Sequence, residues 1–224
     1  MIFHLFMKDL RKLVIIAVVF ILFAVIMCVT LFSEGFIDDN SYLDATKMIL
    51  AGLLLHMLVF GNLMNVEKYE EKHNAYRMMA PFPVSALEIV AEKFFSILVC
   101  TVFGIVSILV IYDLFGVDVA WQGLRIRYLV LTGALTLSLN AIGYLGVFKY
   151  GFHRMRPAIM VVYILAMLGP QLTVFLQQVG ERAYFLVKIA QMSVPGVIGL
   201  AGASLVICCA CFFASVRVSE SREL

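Results

Sequence analysis

The chain has 224 residues, of which 63% are hydrophobic and 14% charged, with a formal net charge of +2. A soluble globular domain is nearer to about 45–50% apolar, so this excess has no soluble core to hide in and most of the chain must be solvated by lipid. The small net charge excludes the electrostatic footprint of a nucleic-acid binder, and the long apolar runs leave no room for a separate soluble domain of ordinary size.

In residues 1–12, Ile2, Leu5, Phe6 and Leu10 fall on one helical face and His4, Lys8, Arg11 and Lys12 on the other. This is the pattern of an interfacial helix lying in the headgroup layer. The apolar run that follows is too long for a signal-peptide core and has no small-x-small cleavage site after it, so it reads as a retained span.

A membrane-crossing helix needs about 20 mostly apolar residues. Six segments qualify: 13–33, 47–66, 94–115, 128–148, 157–175 and 194–216. The expected fold is therefore all-α, a polytopic integral membrane protein forming one transmembrane domain over 1–224. Gly169 and Pro170 interrupt the fifth segment, and Gln171, Gln177 and Gln178 follow. Two forms stay open there, a continuous span or one that breaks and dips back. The second form is tolerated in lipid only where protein covers the freed backbone groups.

Six spans place both termini on one side. That side holds Lys8, Arg11, Lys12, Lys68, Lys72, Arg77, Lys93, Lys149, Arg154, Arg156, Arg217 and Arg222, twelve of the 17 Lys and Arg residues. Lys47, Arg125, Arg127, Arg182 and Lys188 lie on the other. The positive-inside rule makes the richer side, with both termini, cytoplasmic.

Within the spans, His56, Asn62 and Asn65 sit in the second and Asn140 in the fourth. Polar groups at that depth face protein or water rather than lipid. They are either interhelical hydrogen bonders or the lining of a translocation path. Gly143 and Gly146 in the fourth span, and Gly199 and Ala203 in the sixth, make smooth patches that suit close helix packing, within one chain or between two. The five cysteines, Cys28, Cys100, Cys208, Cys209 and Cys211, all lie in apolar runs and read as small hydrophobes. No metal-ligand spacing accompanies them.

The one large polar interruption is 67–93, between the second and third spans. In its first half Tyr69, His73, Tyr76 and Ala80 recur at helical spacing, with Glu67, Glu70, Glu71, Lys72 and Arg77 around them. Pro81 and Pro83 make a stiff corner, and Ser85 with Glu88 spells an S-x-x-E capping box that opens a helix running into the third span. A short helix, a corner and a rod entering the membrane would pass a push from a soluble partner to the bilayer.

Three features resemble one family. They are the amphipathic start HLFMKDLRKL, the 67–93 segment with Asn74-Ala75-Tyr76-Arg77, Pro81-Phe82-Pro83-Val84-Ser85, Glu88-Ile89-Val90 and Lys93, and the order of six spans with the large polar loop after the second. The chain resembles the membrane (permease) subunit of bacterial ATP-binding-cassette (ABC) type-2 transporters, in the small six-span branch. The resemblance implies that 67–80 is a coupling helix docking on a cytoplasmic ABC ATPase dimer. Glu67, Tyr69, Glu70, His73, Asn74, Tyr76, Arg77, Pro81 and Pro83 are then the coupling residues. It also implies a second permease copy or a related subunit, and a bacterial cytoplasmic membrane location.

No G-x-x-x-x-G-K-[ST] loop occurs, so ATP and Mg are expected on the partner, with no catalytic residue, metal or cofactor on this chain. The expected function is export of an amphipathic or hydrophobic substrate, a peptide or lipid-like molecule. The alternatives are an ion-coupled carrier or channel, for which His56 is the only intramembrane titratable candidate, and a non-transporting immunity or assembly protein. The G-x-S-G and H-E-x-x-H patterns of membrane-embedded hydrolases are absent.

Overall fold

The computed structural model describes residues 18, 52–61, 63–64, 85–114, 122–178 and 192–223. Among these the elements are all helical. They are α1 (Gly52–Gly61), α2 (Ala86–Leu114), α3 (Gln122–Tyr150), α4 (Phe152–Gln178) and α5 (Val194–Glu223). Among the described residues, three stretches are long and apolar enough to cross a membrane: Ala86–Val110, Ile126–Tyr150 and Val194–Ser221. They fall on the third, fourth and sixth expected spans. The interfacial helix, the first span and the coupling segment through Pro83 lie outside the described residues.

The helix starts are set by local chemistry. Ser85 and Glu88 form the expected capping box: the Glu88 amide donates to Ser85 Oγ at 3.3 Å and the Ser85 amide donates to Glu88 Oε2 at 3.1 Å. Two of the four amides that a helix start leaves without partners are satisfied this way. From there α2 runs 29 residues without a break, about 43 Å, more than the hydrocarbon thickness. At α5, Ser193 Oγ accepts from the Gly196 amide at 3.3 Å, and Pro195 sits in the first turn, where a missing N–H costs nothing.

The α3–α4 connection is the single residue Gly151, whose φ of +84° is the left-handed conformation that glycine adopts freely. Its amide donates to the Val147 carbonyl at 2.8 Å and its carbonyl accepts from the Met155 amide at 3.2 Å, so one residue closes one helix and opens the next. The basic loop expected around 149–156 is thus helix on both sides of a one-residue corner. Of the two forms left open at Gly169 and Pro170, the structure has the continuous one, with α4 running through both to Gln178. A proline costs a helix one hydrogen bond, and membrane helices absorb that loss.

Contacts fix the directions. Along α3, Tyr128 lies beside Gly52, and Gly143 beside Leu63, so α1 runs parallel to α3. Gly133 lies beside Thr101 and Ile105, while Tyr144 lies beside Phe94, so α2 is antiparallel to α3. Gly143 meets Ile159 and Gly146 meets Met155, so α4 is antiparallel. Ser138 bonds Ser204, and Phe94 packs on both Tyr144 and Phe212, so α5 is parallel. This alternation is what successive crossings require. It collects the end of α1, the start of α2, the α3–α4 corner and the end of α5 at one end of the bundle.

Helix α3 is the hub, with its most extensive contacts to α5. The core is built from Leu55, Leu58 and Val59 of α1, Val90, Ile97 and Cys100 of α2, Leu129, Ala141 and Tyr144 of α3, and Ile159 and Tyr163 of α4. The small residues divide by use. Gly143 and Gly146 are packed within the chain, whereas Gly199 and Gly202 meet nothing within 4 Å.

A second difference concerns charge. Lys93, counted by the sequence as a cytoplasmic anchor, is 1% exposed and Glu92 is 4% exposed. Their side chains lie 3.6 Å apart, Nζ to Oε2, inside the Ala86–Val110 stretch. The capped start lets the helix begin eight residues before the expected span, which carries both side chains into the bundle.

Close packing at Gly104 gives a test. A Cβ there meets Leu55 Cδ1 at 2.5 Å and Leu58 Cδ2 at 3.1 Å. Gly104→Val is expected to destabilise the purified protein by about 1–3 kcal/mol. Gly202→Ala is expected to leave stability unchanged or raise it by about 0.5 kcal/mol. Thermal unfolding in detergent distinguishes them.

Candidate functional site

The middle of the bundle carries a layer of polar side chains. Ser138 is the central residue of the apolar stretch Ile126–Tyr150. Around it α3 presents Thr132, Thr136 and Asn140 at i, i+4 spacing, hence on one face. Thr136 and Asn140 are fully buried and Thr132 is nearly so.

Thr136 and Asn140 each make a first hydrogen bond to their own helix. Thr136 Oγ1 donates to the Thr132 carbonyl at 2.7 Å, and Asn140 Nδ2 donates to the Thr136 carbonyl at 2.8 Å. The remaining capacity reaches across. His56 Nδ1 lies 2.8 Å from Thr136 Oγ1. A neutral imidazole carries one donor and one acceptor nitrogen, so either tautomer of His56 can bond the Thr136 hydroxyl through Nδ1.

Aromatic rings close the layer on the α4 side. Phe60 stacks on Tyr163 with ring centroids 4.0 Å apart, and His56 meets the same ring edge-on at 6.3 Å. On the other side of α3, Ser138 Oγ donates to Ser204 Oγ at 3.0 Å, and Ser204 Oγ donates to the Ala134 carbonyl at 2.7 Å. Among the described residues, Asn140 Oδ1 and the Tyr163 hydroxyl are buried without a hydrogen-bond partner.

His56 and Asn140, singled out by sequence, therefore meet in one layer, joined through Thr136. Asn62 and Asn65 lie outside the described residues, as do all the coupling residues from Glu67 to Pro83. Sequence reasoning missed Thr136, Tyr163 and the Ser138–Ser204 pair. The spacing of Thr132, Thr136 and Asn140 was a legible signal for the first. Nothing in the sequence marks Tyr163 as the ring between His56 and Phe60.

Chemically the layer is neutral. It offers donors, acceptors and aromatic faces at mid-depth, and it suits uncharged hydrogen-bonding groups. No group of three or more potential metal ligands occurs among the described residues. Cys208 and Cys211 are buried and Cys209 is exposed, all as free thiols.

A double-mutant cycle tests the central bond. His56→Leu and Thr136→Val are each expected to destabilise the chain, with a coupling of about 0.6–1.7 kcal/mol between them. Additive effects in a reversible unfolding assay would mean that the two side chains do not interact.

The model of the family described as "ABC-2 family transporter protein" matches residues 4–221, nearly the whole chain. No curated protein and no solved structure matches it. The chain belongs to the ABC-2 transporter family, as a membrane permease component.

Proposed function

We propose that this chain is the transmembrane half of an ATP-driven exporter, worked by a separate cytoplasmic ABC ATPase dimer that binds the ATP and Mg. The coupling helix is 67–80, and Glu67, Tyr69, Glu70, His73, Asn74, Tyr76 and Arg77 grip the ATPase. Pro81 and Pro83 stiffen the corner that delivers the push to α2. Both termini face the cytoplasm, six spans cross the membrane, and a second permease copy or a related subunit completes the pathway.

The observation that carries the reading is the family match combined with one feature of the helix directions. The end of α1 and the capped start of α2 lie at the same end of the bundle, and 65–84 joins them. Both arms are packed together, with Leu55 and Leu58 of α1 against Gly104 of α2. A displacement of the segment between them would move two helices at once. It would also move the His56–Thr136 contact on α1.

The route through the bilayer follows His56, Asn62, Asn65 and Asn140. Its neutral chemistry suits an amphipathic or hydrophobic cargo, peptide or lipid-like, whose polar part is uncharged. A route of this kind has no charged side chain at mid-depth to bind an ion.

Pulling down the tagged chain is expected to bring a cytoplasmic ATPase with it. Tyr76→Ala combined with Arg77→Ala is expected to reduce that recovery about tenfold or more while leaving membrane insertion intact, because aromatic and arginine anchors dominate such interfaces. Undiminished recovery and full transport by the double variant would remove the coupling role. Transport without any ATPase, abolished by His56→Ala, would instead favour the ion-coupled alternative.

A further inference from the structure

The outward face of α4 changes character within two turns. Phe152, Ile159 and Tyr163 form its buried stripe. Met155 packs inward on Gly146, and the other side chains described between 153 and 165 make up its exposed surface. Beyond Pro157 that surface is hydrocarbon: Met160, Val161, Val162, Ile164 and Leu165 are exposed. Before Pro157 it is basic, with His153, Arg154 and Arg156 exposed. Lys149 and Tyr150 are exposed on the other side of the Gly151 corner, with Lys149 Nζ 5.2 Å from the Tyr150 ring centroid.

Helix α5 repeats this change at the same level. Ser138 pairs with Ser204 and the two helices run parallel, so Arg217 stands level with Gly151. Arg217 is exposed, and Phe213, one turn deeper on α5, is 65% exposed. Two helices thus switch from lipid-facing hydrocarbon to outward-facing cations at one depth, and an exposed tyrosine sits at the switch. That is the level where hydrocarbon meets headgroups.

The cations at the start of α4 also stand where a helix disfavours them. A helix start carries a partial positive charge, and cations there raise the energy. Ser85 and Ser193 supply hydroxyl acceptors at the starts of α2 and α5. Gly151, at the start of α4, has no side chain to do so. An anion beside this corner offsets the repulsion.

We propose that the α3–α4 corner, with Arg154 at its centre and Arg156 flanking it at the same depth, is a lateral site for the headgroup of an anionic phospholipid. The occupant is lipid rather than a soluble anion because Arg154 shares one outward face of α4 with the exposed Val161 and Leu165 beyond Pro157. An acyl chain beside Val161 and Leu165 brings its phosphodiester to the level of the two arginines. The site does not depend on the ATPase, so its failure leaves the coupling reading untouched.

The test uses the full chain in a neutral detergent, titrated with phosphatidylglycerol or phosphatidylcholine and read by native mass spectrometry. Phosphatidylglycerol is expected to be retained in preference to phosphatidylcholine. Arg154→Gln with Arg156→Gln is expected to weaken its retention about fivefold per arginine, and Arg154→Lys with Arg156→Lys to restore most of it. Wild-type retention is expected to fall at high salt and to resist competition by inorganic phosphate.

Equal retention of the two lipids, or displacement by inorganic phosphate, overturns the proposal. So does a glutamine variant that binds phosphatidylglycerol as the wild type does but loses a co-purifying cytoplasmic protein, which would make the corner a protein-docking face. The wild-type salt and phosphate arms decide the question even if the glutamine variant does not fold.

Discussion

Hydrocarbon offers no hydrogen bonds, and the rest of the structure depends on that. Every backbone amide and carbonyl in the spans must be satisfied within its own helix, which is why the described elements are helices. The same constraint reaches the side chains. Thr101, Thr136 and Asn140 each donate to a carbonyl one turn back on their own helix. The capacity left after that self-satisfaction joins helices, as between His56 and Thr136, while Ser138 gives its proton directly to Ser204. Polar groups here act as fasteners between surfaces that apolar packing has already brought together.

Helix α3 is where those fasteners converge. Its polar face reaches α1, Ser138 reaches α5, and Gly133, Gly143 and Gly146 let α2, α1 and α4 approach. A hub of this kind holds one register, because sliding α1 by a turn would separate His56 from Thr136 and Phe60 from Tyr163 together. The polar layer around α3 is thereby specific without being charged. The open glycines of α5, by contrast, leave a smooth apolar face on the least buried of the three crossing helices.

Among the described residues, charge is confined to the helix ends, with one exception. Glu92 and Lys93 are buried early in α2, at the end of the bundle where the 65–84 segment attaches. Burying two charges is costly unless each finds partners, and removing one of a pair is costlier still. The base of the rod therefore combines a capped start with a buried ion pair, two features that resist fraying at the point where the proposed push would arrive. The outer surface follows the opposite rule: apolar side chains reach the hydrocarbon boundary and cations begin there.

The sequence by itself determined the class of solvent, the all-helical architecture, the positions of α2, α3 and α5, and the capping box at Ser85 and Glu88. Each of these is written in composition, run length or a short local spacing. It also marked His56 and Asn140 as polar residues at membrane depth. It did not reveal that Thr136 joins them, that Tyr163 is the ring between His56 and Phe60, or that Lys93 turns inward. Nor did it reveal that Gly151 alone makes a corner or that α4 runs on through Pro170. Those facts are decided by which helix lies beside which. Hydropathy gives how deep a residue sits, but partners at that depth come from helix directions and rotations, and only packing in three dimensions sets them.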